Sequence, residues 1–221
     1  MSALCAIALV ASPVVAASPR DILTTAAFGA RDKAAALAQL AQAEAGANAA
    51  LARNPGDREA QLTKAMAIGY RAKLTKSRAD AVDARDRFNA LAAANPRDPE
   101  AQAIVAGWNI DAVTAVGGFM AGTVLGAKKA TGLAALDRSV ALGGNRAMFP
   151  GLAALLRLTL DGADPKARGL AEASLRGATP TALDRMIQRS ANAVLVPVRA
   201  GNAKAAQALA KQLLPFGRVA R

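Results

Sequence analysis

Apolar positions along this chain recur every three or four residues, and the runs they form are broken by short clusters of Asn, Pro, Gly and Asp. From Arg58 to Leu74, Leu62, Ala65, Met66, Gly69 and Ala72 share one helical face, while Glu59, Lys64, Arg71 and Lys73 fall elsewhere. A return helix beginning near Arg78 carries the stripe Ala81, Ala84, Phe88, Leu91 and Ala92 and ends at Asn95-Pro96. Pro96 has no N–H to donate, and its ring pushes the preceding residue out of the helical region. The two stripes therefore predict one antiparallel helical hairpin.

The same grammar continues towards the C-terminus. Asp98 followed by Pro99 reads as an N-cap with proline at the first helical position, and Ala101, Ile104, Trp108, Ala112 and Ala115 then share a face. Asp164-Pro165 and Thr179-Pro180 read as further helix starts. Leu183, Met186, Ile187, Ser190 and Val194 form the next stripe, expected to break at Pro197 and Gly201, and Ala206, Ala210 and Leu213 carry a last helix to Pro215. No stretch alternates apolar and polar residues long enough to predict a sheet. The expected fold is all-α, a superhelix of four or five antiparallel hairpins built as a single domain over residues 18–221.

At the hairpin ends the chain resembles the tetratricopeptide repeat family. Ala84, Phe88, Leu91 and Pro96 stand at the small, aromatic, apolar and proline positions of that family's second helix, and Ala43, Ala47, Ala50 and Pro55 repeat the pattern. Ala65 and Ala106 occupy the small-residue position of the first helix, each ten residues after its preceding proline. The intervals from Pro55 to Pro96, on to Arg146, Pro180 and Pro215 are 41, 50, 34 and 35 residues, so two fit the family period of about 34 and two hold insertions. The longer insertion lies around 113–131. In such a superhelix the first helices line the concave surface, so the resemblance implies partner contact at Glu59, Met66, Tyr70, Glu100, Ala103 and Asp111, with Lys73 adding charge at the rim.

Within the insertion, Gly118, Gly122 and Gly126 would align along a helix and permit close approach of a neighbour. The stretch is expected to be a packed helix behind a glycine hinge, with a ligand-covering loop and membrane-surface contact as alternatives. Residues 112–127 carry no charge, but 16 residues fall short of the roughly 20 needed to cross a bilayer. Gly122 to Lys129 fails as a phosphate loop, because Ala127 and Lys129 stand where Gly and Ser or Thr are required. Asp80, Asp83 and Asp86 recur every three residues among Arg78, Arg85 and Arg87, the pattern of a solvated, salt-linked helix face.

Composition narrows the chemistry. Histidine is absent and Cys5 is the only cysteine, which removes imidazole bases, thiol nucleophiles and the usual zinc ligands from a mature chain. Residues 1–17 carry no charged side chain, and the apolar run from Leu4 to Val10 followed by Ser12-Pro13-Val14-Val15-Ala16-Ala17 predicts a signal peptide cut after Ala16 or Ala17. Alanine and arginine usage fits a bacterium with a GC-rich genome, placing the protein in its periplasm or cell envelope. The formal charge of +12 favours acidic partners, yet basic residues are dispersed and aromatics sparse, which argues against nucleic-acid binding.

These observations predict a noncatalytic adaptor or scaffold that binds another envelope protein or an extended peptide, without a cofactor or metal. Two alternatives stay open: an envelope enzyme working with carboxylates or a lysine, and a carrier for a hydrophobic small molecule.

Overall fold

The computed structural model describes residues 17–219, so the expected signal segment, including Cys5, lies outside the described residues except for Ala17. Among the described residues the chain is all-helical apart from turns, and the bridge between Arg146 and Ala178 is the sole β-type pairing. The helices are α1 (Pro19–Gly29), α2 (Lys33–Arg53), α3 (Arg58–Thr75), α4 (Arg78–Ala94), α5 (Pro99–Val116), the short α6 (Gly118–Met120), α7 (Lys129–Leu142), α8 (Met148–Leu160), α9 (Ala167–Arg176), α10 (Ala182–Arg199) and α11 (Ala203–Leu213). A π turn, Ala121–Leu125, prolongs α6.

Five antiparallel hairpins follow from this order: α1/α2, α3/α4, α5/α7, α8/α9 and α10/α11. The first helix of each touches the first helix of the next, from α1 through α3, α5 and α8 to α10, so these five helices form one continuous inner layer. The outer layer is α2, α4, α7, α9 and α11. This is the expected superhelix of stacked hairpins.

Local chemistry explains the helix starts. Asp32, Asp57, Ser77 and Asp98 each accept a backbone N–H of their helix's first turn. Ser18 with Asp21 and Thr181 with Asp184 form reciprocal capping boxes. Small residues then let the helices close. Ala65, Ala84 and Ala106 are fully buried, and Gly69 lies against Ala84 and Phe88 where a Cβ would already be tight. A Cβ on Gly132 would collide with Ile110 and Asn109, which is how α7 seats so closely on α5.

Several sequence expectations are corrected. Asp164 caps a turn, accepting the Lys166 N–H, and α9 starts only at Ala167. Thr181 caps α10 in place of Thr179, because only Thr181 has a carboxylate three residues on to return the hydrogen bond. Helix α10 runs through Pro197, losing the one backbone hydrogen bond that proline cannot donate, and stops before Gly201 at φ 67°. Ala115 is exposed, since α5 outruns its neighbours there. Gly118, Gly122 and Gly126 do not line a helix–helix contact. Gly126 adopts φ 72° and ends the π turn, and a Cβ on Gly118 would meet open space.

The segment after α11 meets α1. After α11, Leu214-Pro215-Phe216 folds back across the inner layer, the Phe216 N–H donates to the Ala27 carbonyl at 2.7 Å, and the ring packs with Leu23, Ala26 and Ala27. Tyr70 meets Phe216 edge to face, ring centroids 5.2 Å apart. Phe216 holds φ 59°, a left-handed conformation unfavourable for an aromatic residue, so its burial must outweigh local strain. Truncation of Phe216 to Ala is expected to destabilise the protein by about 3 kcal/mol, the usual cost of removing a buried Phe. Urea unfolding monitored by circular dichroism measures this.

Candidate functional site

The C-terminal segment borders a half-open cavity of about 150 Å³ in the inner layer. Its wall draws on every first helix: Leu23 and Ala27 of α1, Met66 and Tyr70 of α3, Ile104 and Trp108 of α5, Leu152 and Leu156 of α8, and Leu183 and Ile187 of α10. Leu214 and Pro215 complete it, and the lining is predominantly carbon. At Gly107 an added Cβ would find nothing within 4 Å, so this backbone faces free space. A half-open apolar site of this size is of the order that accepts a benzene-sized apolar body.

The charged groups at the wall come in pairs. Lys73 Nζ lies 2.7 Å from Asp111 Oδ1. Glu100 is shared among three arginines: Arg146 at 3.3 Å, Arg58 at 3.5 Å and Arg20 at 3.8 Å. Arg58 also binds the buried Asp98, and Arg146 the fully buried Asp184 at 3.0 Å. Burial alone would raise the Asp184 carboxyl, but hydrogen bonds from Arg146 and Thr181 hold it below the usual carboxylate range. The network therefore fastens α1, α3, α5, α10 and the α7–α8 connection around one edge of the cavity. Neither carboxylate of the wall is free of a cationic partner, an arrangement suited to holding shape.

Six of the seven residues expected from sequence to contact a partner, Met66, Tyr70, Lys73, Glu100, Ala103 and Asp111, line this single cavity. Glu59 does not reach it; half-exposed, it lies 3.8 Å from Arg20, which does. Trp108, expected in the core from its place on an apolar stripe, is a half-buried wall residue whose indole N–H donates to the Ala81 carbonyl. Sequence reasoning missed helix α1 because an expected signal segment abuts it. Its signal was nonetheless present as Ser18-Pro19-Arg20-Asp21, a capping box with proline at the first helical position. The Asp80, Asp83 and Asp86 series behaves as expected of a salt-linked face, each acid holding an arginine: Arg71, Arg87 and Arg85 respectively.

No protein-family model, curated protein or solved structure matches this chain. What the site can do must be read from its own geometry.

Tyr70 is the chain's only tyrosine and provides a direct probe of the cavity. Among the described residues its hydroxyl makes no hydrogen bond, and burial pushes the phenol up to about 12, Arg20 opposing and Asp111 reinforcing the rise. Because the folded-state value is the higher one, the associated stability is complete below the ordinary phenol value of 10.0 and is lost as pH climbs towards about 12. Ultraviolet difference titration should therefore show a single phenolate transition near 12; a transition at the ordinary value would place Tyr70 in open solvent.

Proposed function

We propose that this protein is a noncatalytic binding protein that holds a small, apolar-bodied molecule in the half-open cavity lined by its five first helices. The observation that carries this reading is the combination of carbon lining, free space at Gly107 and a border of Leu214 and Pro215 that the Phe216–Ala27 hydrogen bond holds in place. A ligand pocket of this kind uses apolar surface for affinity and a few polar groups for orientation. Tyr70 supplies a hydroxyl without a partner among the described residues, and the Lys73–Asp111 pair supplies charge beside it.

The hydrophobic-carrier alternative thus takes precedence over the adaptor expected first. An extended peptide laid along the concave layer would have to pass the C-terminal segment, which already occupies part of it. The adaptor remains the second reading because six expected contact residues do share one surface. An enzyme draws less support, since Glu100 and Asp111 are both committed to cations. The hairpin stack is read as a divergent tetratricopeptide-like array, supported by buried Ala65, Ala84 and Ala106 at the family's small positions. Periplasmic or envelope residence rests on the apolar run before Ala17. Intact-mass measurement of exported protein is expected to give a chain lacking 16 or 17 residues, and recovery of the full-length mass would reject processing.

Trp108, the single tryptophan, reports occupancy of the cavity directly. Titration with iodobenzene, a neutral benzene-sized probe, is expected to quench Trp108 emission by the heavy-atom effect and saturate at one site. Gly107→Leu should fill the free space and weaken the probe about tenfold or more, while gaining about 1 kcal/mol of helix propensity. Equal affinity in the variant would show that the probe binds elsewhere and would remove the basis of the reading. If instead acidic peptides alone shift Trp108 emission, the adaptor reading stands in its place.

A further inference from the structure

The connection between α5 and α7 projects large apolar side chains into solvent. Phe119 is 81% exposed, Val116 50%, Met120 49% and Val124 36%. Yet the segment is firmly built. Ala121 and Ala127 anchor its two ends in the interior, the Lys128 N–H donates to Asn109 Oδ1 at 2.9 Å, and the Ala127 N–H closes the π turn onto the Ala121 carbonyl at 3.0 Å. Arg78 and Arg85 of α4 donate to the carbonyls of Val124 and Leu125. Gly117 at φ 81° turns the chain so that Gly118 and Phe119 lead the projection. Exposure of Phe119 is thus held by structure.

The charge carried by this segment itself has one sign. Residues 112–136 contain no Asp or Glu, whereas Lys128 and Lys129 stand exposed beside the tip, and Arg78 holds it from α4. The acids of α4, α5 and α7 are already engaged: Asp80 with Arg71, Asp83 with Arg87, Asp86 with Arg85, Glu100 with Arg146, Asp111 with Lys73 and Asp137 with Arg157. An apolar tip bordered by cations that pair with no acid among the described residues matches the boundary between anionic headgroups and acyl chains. A stable protein interface needs about 800 Å² per partner, more than four partly exposed side chains on one projection provide. No described helix is long and apolar enough to cross a membrane, so contact would be shallow.

We propose that Val116, Phe119, Met120 and Val124 insert into the surface of an anionic lipid bilayer, with Lys128 and Lys129 pairing with its headgroups. The inference is independent of what the cavity holds. Co-sedimentation compares vesicles of phosphatidylcholine alone with vesicles containing phosphatidylglycerol, using the full chain and a Phe119→Ser/Met120→Ser variant that shares every other residue. Binding is expected only with phosphatidylglycerol, and the double variant should lose about tenfold in affinity, as removal of two apolar anchors requires. Lys128→Gln/Lys129→Gln should abolish the preference for the anionic lipid, and added salt should do the same. Circular dichroism of both variants should match the parent, because the altered side chains are exposed. Absence of binding to phosphatidylglycerol vesicles, or equal binding by the serine variant, overturns the proposal. So does concentration-dependent self-association that the serine variant abolishes, for then the tip docks a second copy of this chain.

Discussion

The hydrogen bond from Phe216 to Ala27 joins the last residues of a stacked-hairpin chain to its first described helix. In an open stack each hairpin packs only on its neighbours, and the inner surface faces water. Here the returning C-terminal segment covers part of the inner surface with carbon, so side chains that would otherwise line an open groove form a half-open cavity. Leu214 and Pro215 close its wall, while Phe216 fills the gap between α1 and α3. Close approach continues beyond the aromatic ring. Gly217 runs so near the carbonyls of Lys211 and Gln212 that a Cβ could not be accommodated, which fixes the angle at which the segment leaves α11.

Two kinds of contact keep the five hairpins in register around that cavity. Alanine and glycine at the helix crossings allow backbones to come close, and each added methyl there would force a shift. The arginine–carboxylate network is directional: Glu100 sits where Arg20, Arg58 and Arg146 converge from three parts of the chain. Such pairs contribute little net stability after desolvation, but loss of one member leaves another charge poorly compensated. Their effect here is geometric, because a hairpin rotated about its axis would break the convergence even if its apolar face stayed buried.

Much of the hairpin architecture was legible in the sequence because local signals carried it. Asp57, Ser77 and Asp98 announce helix starts, Asn95-Pro96 announces a stop, and buried Leu62, Ala65, Ala84 and Phe88 follow the helical period. Legibility failed where two local signals competed, as with Thr179-Pro180 beside Thr181, and where an apolar residue had more than one destination. Trp108 lies on an apolar stripe whether it packs in the core or walls a cavity. The site residues of α3 and α5 were found because inner-layer positions repeat along the chain. Arg20, Leu23 and the Leu214–Phe216 segment were not, because the contact between them spans almost the whole sequence and has no local signature.

That long-range contact changes how the molecule can come apart. A solenoid ordinarily frays from its terminal repeats, since each end has one neighbour fewer than the interior. With the C-terminal segment seated on α1, the first and last hairpins share a contact and neither end is simply a free terminus. Lifting the C-terminal segment exposes apolar surface in α1 and α3 at once, so loss of structure is coupled across the chain instead of spreading repeat by repeat. Folding bears the converse burden: the closing step joins residues about 190 positions apart, a loop-closure cost that the hairpins, formed from neighbours, do not face.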